Sequence, residues 1–376
     1  MKKPSIKQRK FITRYNIKLR KGKAKHSSST ATDRRSPSKV VRKDLLRKIS
    51  KFQELGVNIE LSKKRFLLIW LPEKINFSSQ YEVTTAYIRA IRYFVENVQG
   101  ENSCRISLKS IRFDHLRKAS TSAALVLTSE ISKWDDKVSN SLFPDLSKWS
   151  PEIIEQFNEL GYFDLFVRAP ELPQNKKISS VKLIRYIKGT CGDNDKPRQL
   201  KAGIHNILGK DIQKWKFLHS GLSEAITNVS HHAYPAPQFD NEPKNWYLTA
   251  SFDENKRELK VSFYDQGVGI PRTLPSSTMR EYISKYLRRL KIGQHDAIMI
   301  RAALAYGRTR THEDDRGKGL QDMLNFIRQT GHGYLSIISS KGLCKVDVSG
   351  TTESTKTERF SNALPGTLII WNVSIP

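Results

Sequence analysis

Apolar residues recur along the chain with two periods, about 3.6 and 2, and the switches between them mark a series of helices and strands. "RFLLIWLP" reads as a strand, and Val83 to Val98 carries apolar residues at 87, 90, 91, 94, 95 and 98, the spacing of a core-facing helix. "RISLKSIRF" follows as a strand and "STSAALVLTSEISKW" as a helix, so β and α elements alternate over roughly residues 60–170. A short helix in "LLRKISKFQELGVNI" leads into this region. The Pro-, Asn- and Ser-rich segment "APELPQNKKISS" then marks a boundary near residue 180, and "CGDNDKPR" a second irregular stretch.

Beyond that boundary, Leu218, Leu222, Ala225, Ile226 and Val229 fall at i, i+4, i+7, i+8 and i+11, one apolar helix face. "WYLTASF" and "ELKVSFYD", separated by the turn-like "DENKR", predict an antiparallel pair. A long basic segment, another helix and three strands in "YLSIISS", "LCKVDV" and "TLIIWNVSI" complete the series. The expected fold class is α/β (α+β). A smaller α/β domain over residues 60–178 precedes a two-layer α/β sandwich over 182–376, whose antiparallel sheet is covered by helices on one side.

Charge changes this picture at the N-terminus. Of a net charge of +28, residues 1–51 hold 19 Lys and Arg against Asp33 and Asp44. A block of like charge with few aromatics cannot bury enough surface to fold alone, so residues 1–50 read as a basic, largely disordered tail. Such a tail attracts polyanions, through phosphate neutralisation with Phe11 and Tyr15 available to stack on bases, or as a solvated extension with weak salt-sensitive attraction. The apolar runs fall short of the roughly 20 residues that span a bilayer. Cys104, Cys191 and Cys344 are isolated and odd in number, which argues against a disulfide framework or zinc cluster. A soluble cytoplasmic protein is expected, although the acid-free basic start loosely resembles a transit peptide.

Candidate chemistry interrupts the apolar pattern at four places. Glu224 and Asn228 lie four apart on the margin of the 218–229 face, where a carboxylate and an amide are costly without partners. Asp265 shares the parity of Leu259, Val261 and Phe263, so it points toward the helix-covered side of its strand. Gly267 and Gly269 follow at once and permit close approach of backbone to a ligand. Gly317 and Gly319 open a helix at "RGKGLQDM", a natural phosphate site, and Gly366-Thr367 begin the last strand. No Walker P-loop and no G-x-G-x-x-G occurs.

This ordered series, E-x-x-x-N, D-x-G-x-G-I, R-G-x-G-L and G-T, resembles that of the GHKL ATPases, the superfamily of gyrase B, histidine kinases and MutL with the Bergerat-type ATP-binding fold. The resemblance covers about residues 200–376, and "SEAITNVSHHAYP" is most similar to the anti-sigma-factor serine kinases. It implies an ATP and Mg²⁺ site in which Asn228 binds Mg²⁺, Asp265 accepts a hydrogen bond from the adenine amino group and Thr367 supports the adenine through water. Glu224 would orient or deprotonate the nucleophile, and Gly267, Gly269, Gly317 and Gly319 would bound a lid over the phosphates. That lid, residues 271–316, supplies Arg301, Arg308, Arg310 and Arg316, with Lys318 beyond. No histidine-bearing dimerisation helix precedes the motifs and no transducer domain follows, which directs the expectation to a regulatory ATPase or protein Ser/Thr kinase. The competing class is a non-catalytic ATP-gated scaffold anchored to nucleic acid by its tail. A protein partner or substrate is expected, and a homodimer is compatible with either class.

The domain over 60–178 weakly resembles the STAS domain of anti-sigma-factor antagonists, in which a strand leads to a phosphorylatable serine at a helix start. Ser120, Thr121 and Ser122 occupy that place. They read equally as N-cap residues.

Overall fold

The computed structural model describes residues 37–62, 66–98, 106–133, 142, 144–168, 170–172, 178–193, 195–236, 238–239, 244–273, 295–309 and 319–376. Residues 1–36 of the expected tail lie outside the described residues, and 37–50, expected to be largely disordered with them, belong to a helix, Pro37–Glu54. The chain divides into two compact units, Met1–Leu45 and Leu46–Pro376. Everything from the first strand onward belongs to the second unit, so the boundary suggested near residue 180 falls inside it.

In chain order the elements are α1 (Pro37–Glu54), β1 (Asn58–Leu61), β2 (Phe66–Trp70), β3 (Lys74–Ile75), α2 (Tyr81–Val98), β4 (Ser107–Arg112), β5 (Lys118–Ala119), α3 (Thr121–Ser132) and α4 (Pro151–Leu160). There follow β6 (Val181–Leu183), β7 (Ile187–Thr190), α5 (Lys196–Leu208), α6 (Trp215–Asn228), β8 (Asn245–Asp253), β9 (Glu258–Asp265), α7 (Ile270–Thr273), α8 (Asp296–Thr309), α9 (Gly319–Thr330), β10 (His332–Ser349) and β11 (Thr352–Ser374). The protein is mixed α/β. β1, β2 and β4 form a small sheet, antiparallel between β1 and β2 and parallel between β2 and β4.

The main sheet runs β10-β11-β9-β8-β6 with β7 also on β8, and its pairings are antiparallel. β6, β7 and α5 carry too short or too polar a pattern to be read from sequence. The last three expected strands are two. β10 joins "YLSIISS" to "LCKVDV" through a bulge at Ser340, whose φ is +54, so the Lys341-Gly342 pair that looks like a turn is a kink. The reversal comes at Gly350, φ +59, and β11 starts far earlier than "TLIIWNVSI".

One face of this sheet carries Leu248, Ala250, Phe252, Leu259, Val261, Phe263, Ile369, Trp371 and Val373, packed against Leu218, Leu222, Ala225 and Ile226 of α6 and Met323, Leu324 and Ile327 of α9. Gly221 lets the two helices close up, since a Cβ there would stand 2.9 Å from Met323 Cα. Helices were expected on this side alone, but α2 and α3 cover the other face. The hydroxyl of Thr121 donates to Ser251 Oγ at 3.0 Å, Tyr264 Oη donates to Glu130 Oε1 at 2.8 Å, and Tyr81 donates to the Asn362 carbonyl at 3.0 Å. All twelve residues of α3 are buried. A helix buried along its whole length is enclosed on every side, and α3 lies inside the second unit.

That packing fixes the serine cluster. Ser120 is the N-cap of α3 and accepts from Ala123 N at 3.2 Å, while Thr121 and Ser122 are 7% and 4% exposed. Ser120→Ala is expected to lower stability by about 1 kcal/mol, the usual worth of an N-cap, measurable by denaturant titration.

Candidate functional site

α6 ends in the E-x-x-x-N pair. Its apolar residues at 218, 222, 225 and 226 are 0–1% exposed, which leaves Glu224 and Asn228 half-buried on the margin. Asn228 Nδ2 donates to Glu224 Oε1 at 3.0 Å. Burial pushes the Glu224 carboxyl above the usual carboxylate range, against the Asn228 hydrogen bond, and Asp322 of α9 pushes it further. Past Asn228 the helix widens into a π-turn at Val229–Ala233.

This wider turn delivers Ala233 to the end of β9. Its carbonyl accepts from Val268 N at 2.9 Å, and Tyr234 Oη accepts from Gln266 N at 3.0 Å. Gly267 is required here, because a Cβ would stand 2.3 Å from the Ala233 oxygen. Gly267→Ala is accordingly expected to separate the two motifs and destabilise the fold by about 1–3 kcal/mol, read as a lowered denaturation midpoint.

Asp265 is 5% exposed and points, as its parity requires, to the α6 and α9 side. Gly267 N donates to its Oδ1 at 2.9 Å, and Thr367, directly opposite it in register on β11, adds side-chain and backbone hydrogen bonds. Burial raises the Asp265 carboxyl to about 6 despite these donors. Ser339 Oγ lies 3.0 Å from Thr367 Oγ1 and accepts from Ile270 N at 2.9 Å, which ties β10 and the D-x-G-x-G-I turn to the G-T pair. Gly269 and Gly366 adopt φ of +88 and +89, and a Cβ on Gly366 would overlap the Asp265 carbonyl.

The glycine turn before α9 is only partly visible. Gly319 is the first residue of α9, while Gly317, Arg310, Arg316 and Lys318 lie outside the described residues. α9 runs beside α6, with Ser220 Oγ donating to Asp322 Oδ2 at 3.1 Å. Part of the segment expected as a lid, 271–316, is helix packed on the core. Residues 296–309 form α8, and its Ile300 and Leu304 sit in the main core, so Arg301 rides on a packed helix. Residues 274–294 lie outside the described residues, as does the side chain of Arg308.

Asp265, Gly267, Gly269 and Thr367 are thus joined by direct contacts through Ala233, Tyr234 and Ser339, while Glu224 and Asn228, bonded to each other, stand just before Ala233 in the chain. Sequence reasoning missed three members of this environment, Glu130, Arg92 and Tyr264, which meet behind Asp265. The signal for Glu130 was a lone carboxylate in a helix otherwise without charge. No family model matches the chain, and no curated protein matches it.

Proposed function

We propose that residues 182–376 form a Bergerat-type, GHKL-like site for Mg-ATP, and that the protein is a regulatory ATPase or protein Ser/Thr kinase. The observation that carries this reading is the meeting of the D-x-G-x-G turn and the G-T strand around one buried carboxylate, against the Ala233–Tyr234 segment that directly follows the E-x-x-x-N helix. Asp265 offers a buried carboxylate acceptor beside the D-x-G-x-G turn, suited to an exocyclic amine. Asn228 commits its Nδ2 to Glu224, which leaves Oδ1 as the hard oxygen donor that Mg²⁺ favours.

When bound, Mg²⁺ would neutralise phosphate charge. The protein's own part is to read the base with Asp265 and Thr367, line the turn with backbone at Gly267 and Gly269, and hold Glu224 where it can take a proton from the nucleophile. A carboxyl raised by burial is a better base than a solvated one. The burial of Thr121 and Ser122 and the capping bond of Ser120 favour water or a partner protein as phosphoryl acceptor over this chain's own cluster. On this reading the N-terminal α/β region is weakly STAS-like, and the basic tail offers polyanions such as nucleic acid a weak, salt-sensitive contact.

Incubation with γ-labelled ATP and Mg²⁺, following both free phosphate and label on protein, tests the reading. Glu224-dependent release or transfer is expected. Tight binding with neither product would favour the scaffold class.

A further inference from the structure

The residues on either side of Asp265 are held from behind by one carboxylate. Tyr264 and Gln266 point to the face covered by α3, where Glu130 is 0% exposed. Tyr264 Oη donates to Glu130 Oε1 at 2.8 Å, and Gln266 Nε2 donates to the same oxygen at 3.1 Å and to the Ser129 carbonyl at 3.1 Å. Arg92 of α2 grips both Glu130 oxygens, Nε and Nη2 each at 2.6 Å, and its Nη2 also donates to Tyr264 Oη at 3.3 Å. The Tyr264 hydroxyl lies 2.6 Å from the Pro365 carbonyl, one residue before Gly366-Thr367.

A covering helix needs no such pair. Buried ion pairs are commonly matched or surpassed in stability by apolar residues of similar volume, and Glu130 is the one charged residue of α3. This one is spent on the two chain neighbours of Asp265.

We propose that Arg92 and Glu130 are positioning residues for Asp265, fixing the strand end from the reverse face and setting the electric field at its carboxylate, so that the N-terminal half is a working wall of the site. The proposal deepens the nucleotide reading and rests on Asp265 as the ligand-reading group. The groups facing Asp265 are Arg92 from α2, Tyr264 on its own strand, Tyr234 from the turn after α6 and Thr367 of β11, with Glu130 behind Tyr264. The positive charge of Arg92 favours the ionised form of Asp265 against the effect of burial.

Opposite charges predict opposite shifts. In the nucleotide-free full chain, with the Asp265 carboxyl followed by carbon NMR, Arg92→Met is expected to move its titration midpoint up and Glu130→Gln to move it down. Each shift is on the order of half a pH unit, less than a direct contact produces because the pair acts across the sheet. The double variant Arg92→Met/Glu130→Met returns the midpoint close to its starting value. Arg92→Lys keeps the charge and is expected to keep the midpoint, which serves if either single variant fails to fold. Midpoints that move in the same direction in both single variants, or that move as far in Arg92→Lys as in Arg92→Met, overturn the proposal. Mg-ATP titrations on the same proteins separate the two readings. Opposite shifts in a chain that binds no ATP uphold the positioning role and remove the nucleotide, whereas ATP binding with unmoved midpoints does the reverse.

Discussion

Asp265→Asn is expected to weaken the proposed Mg-ATP binding by about 100-fold, or ~2.7 kcal/mol, the scale of leaving a buried donor without its charged acceptor. Affinity in the unmodified protein is expected to fall as pH drops through about 6, where the carboxyl takes up a proton and ceases to be a pure acceptor. The effect on folding has the opposite sense. The folded-state value of about 6 lies above the ordinary 3.8, so the ionised group destabilises the fold above about pH 6 and the penalty vanishes below about 4. Asp265→Asn is therefore expected to stabilise the ligand-free protein on the order of 2–3 kcal/mol at pH 8 and to leave it little changed at pH 4. A variant that loses its ligand while gaining stability shows a group kept for function. Calorimetric titration at pH 5 to 8, beside thermal denaturation over the same range, reads both effects.

Glu224→Ala separates binding from chemistry. Turnover is expected to fall by about 10²- to 10⁴-fold, the usual worth of a general base, with affinity changed by less than about 3-fold. Glu224 touches Asn228 and lies on the margin of α6, away from the packed face, so its loss leaves the core intact. Single-turnover phosphate release at saturating ATP measures the first quantity and equilibrium titration the second. Persistence of turnover would place the base elsewhere.

Much of the site was legible because its residues break a periodic pattern. Glu224 and Asn228 stand out against Leu218, Leu222, Ala225 and Ile226, and the direction of Asp265 follows from the parity of Leu259, Val261 and Phe263. The wall behind was not legible. Tyr264 and Gln266 look like the solvent-facing positions of a sheet covered on one side, and only the full burial of α3 shows that this face is closed as well. Nothing local pairs Arg92 with Glu130, since they lie 38 residues apart and meet through tertiary packing alone. The merging of two expected strands into β10 has the same origin. Lys341-Gly342 carries turn chemistry, but a Cβ on Gly342 would stand 2.3 Å from Ala297 N, so this glycine serves the approach of α8 to the strand.

The central claim, a nucleotide site built around Asp265, is tested most directly by calorimetric titration of the full chain with ATP in the presence of Mg²⁺, alongside GTP and Asp265→Asn. One saturable site that prefers ATP and is lost in the variant is the predicted result. Equal affinity in the variant, or no saturable binding by the unmodified chain, would contradict it.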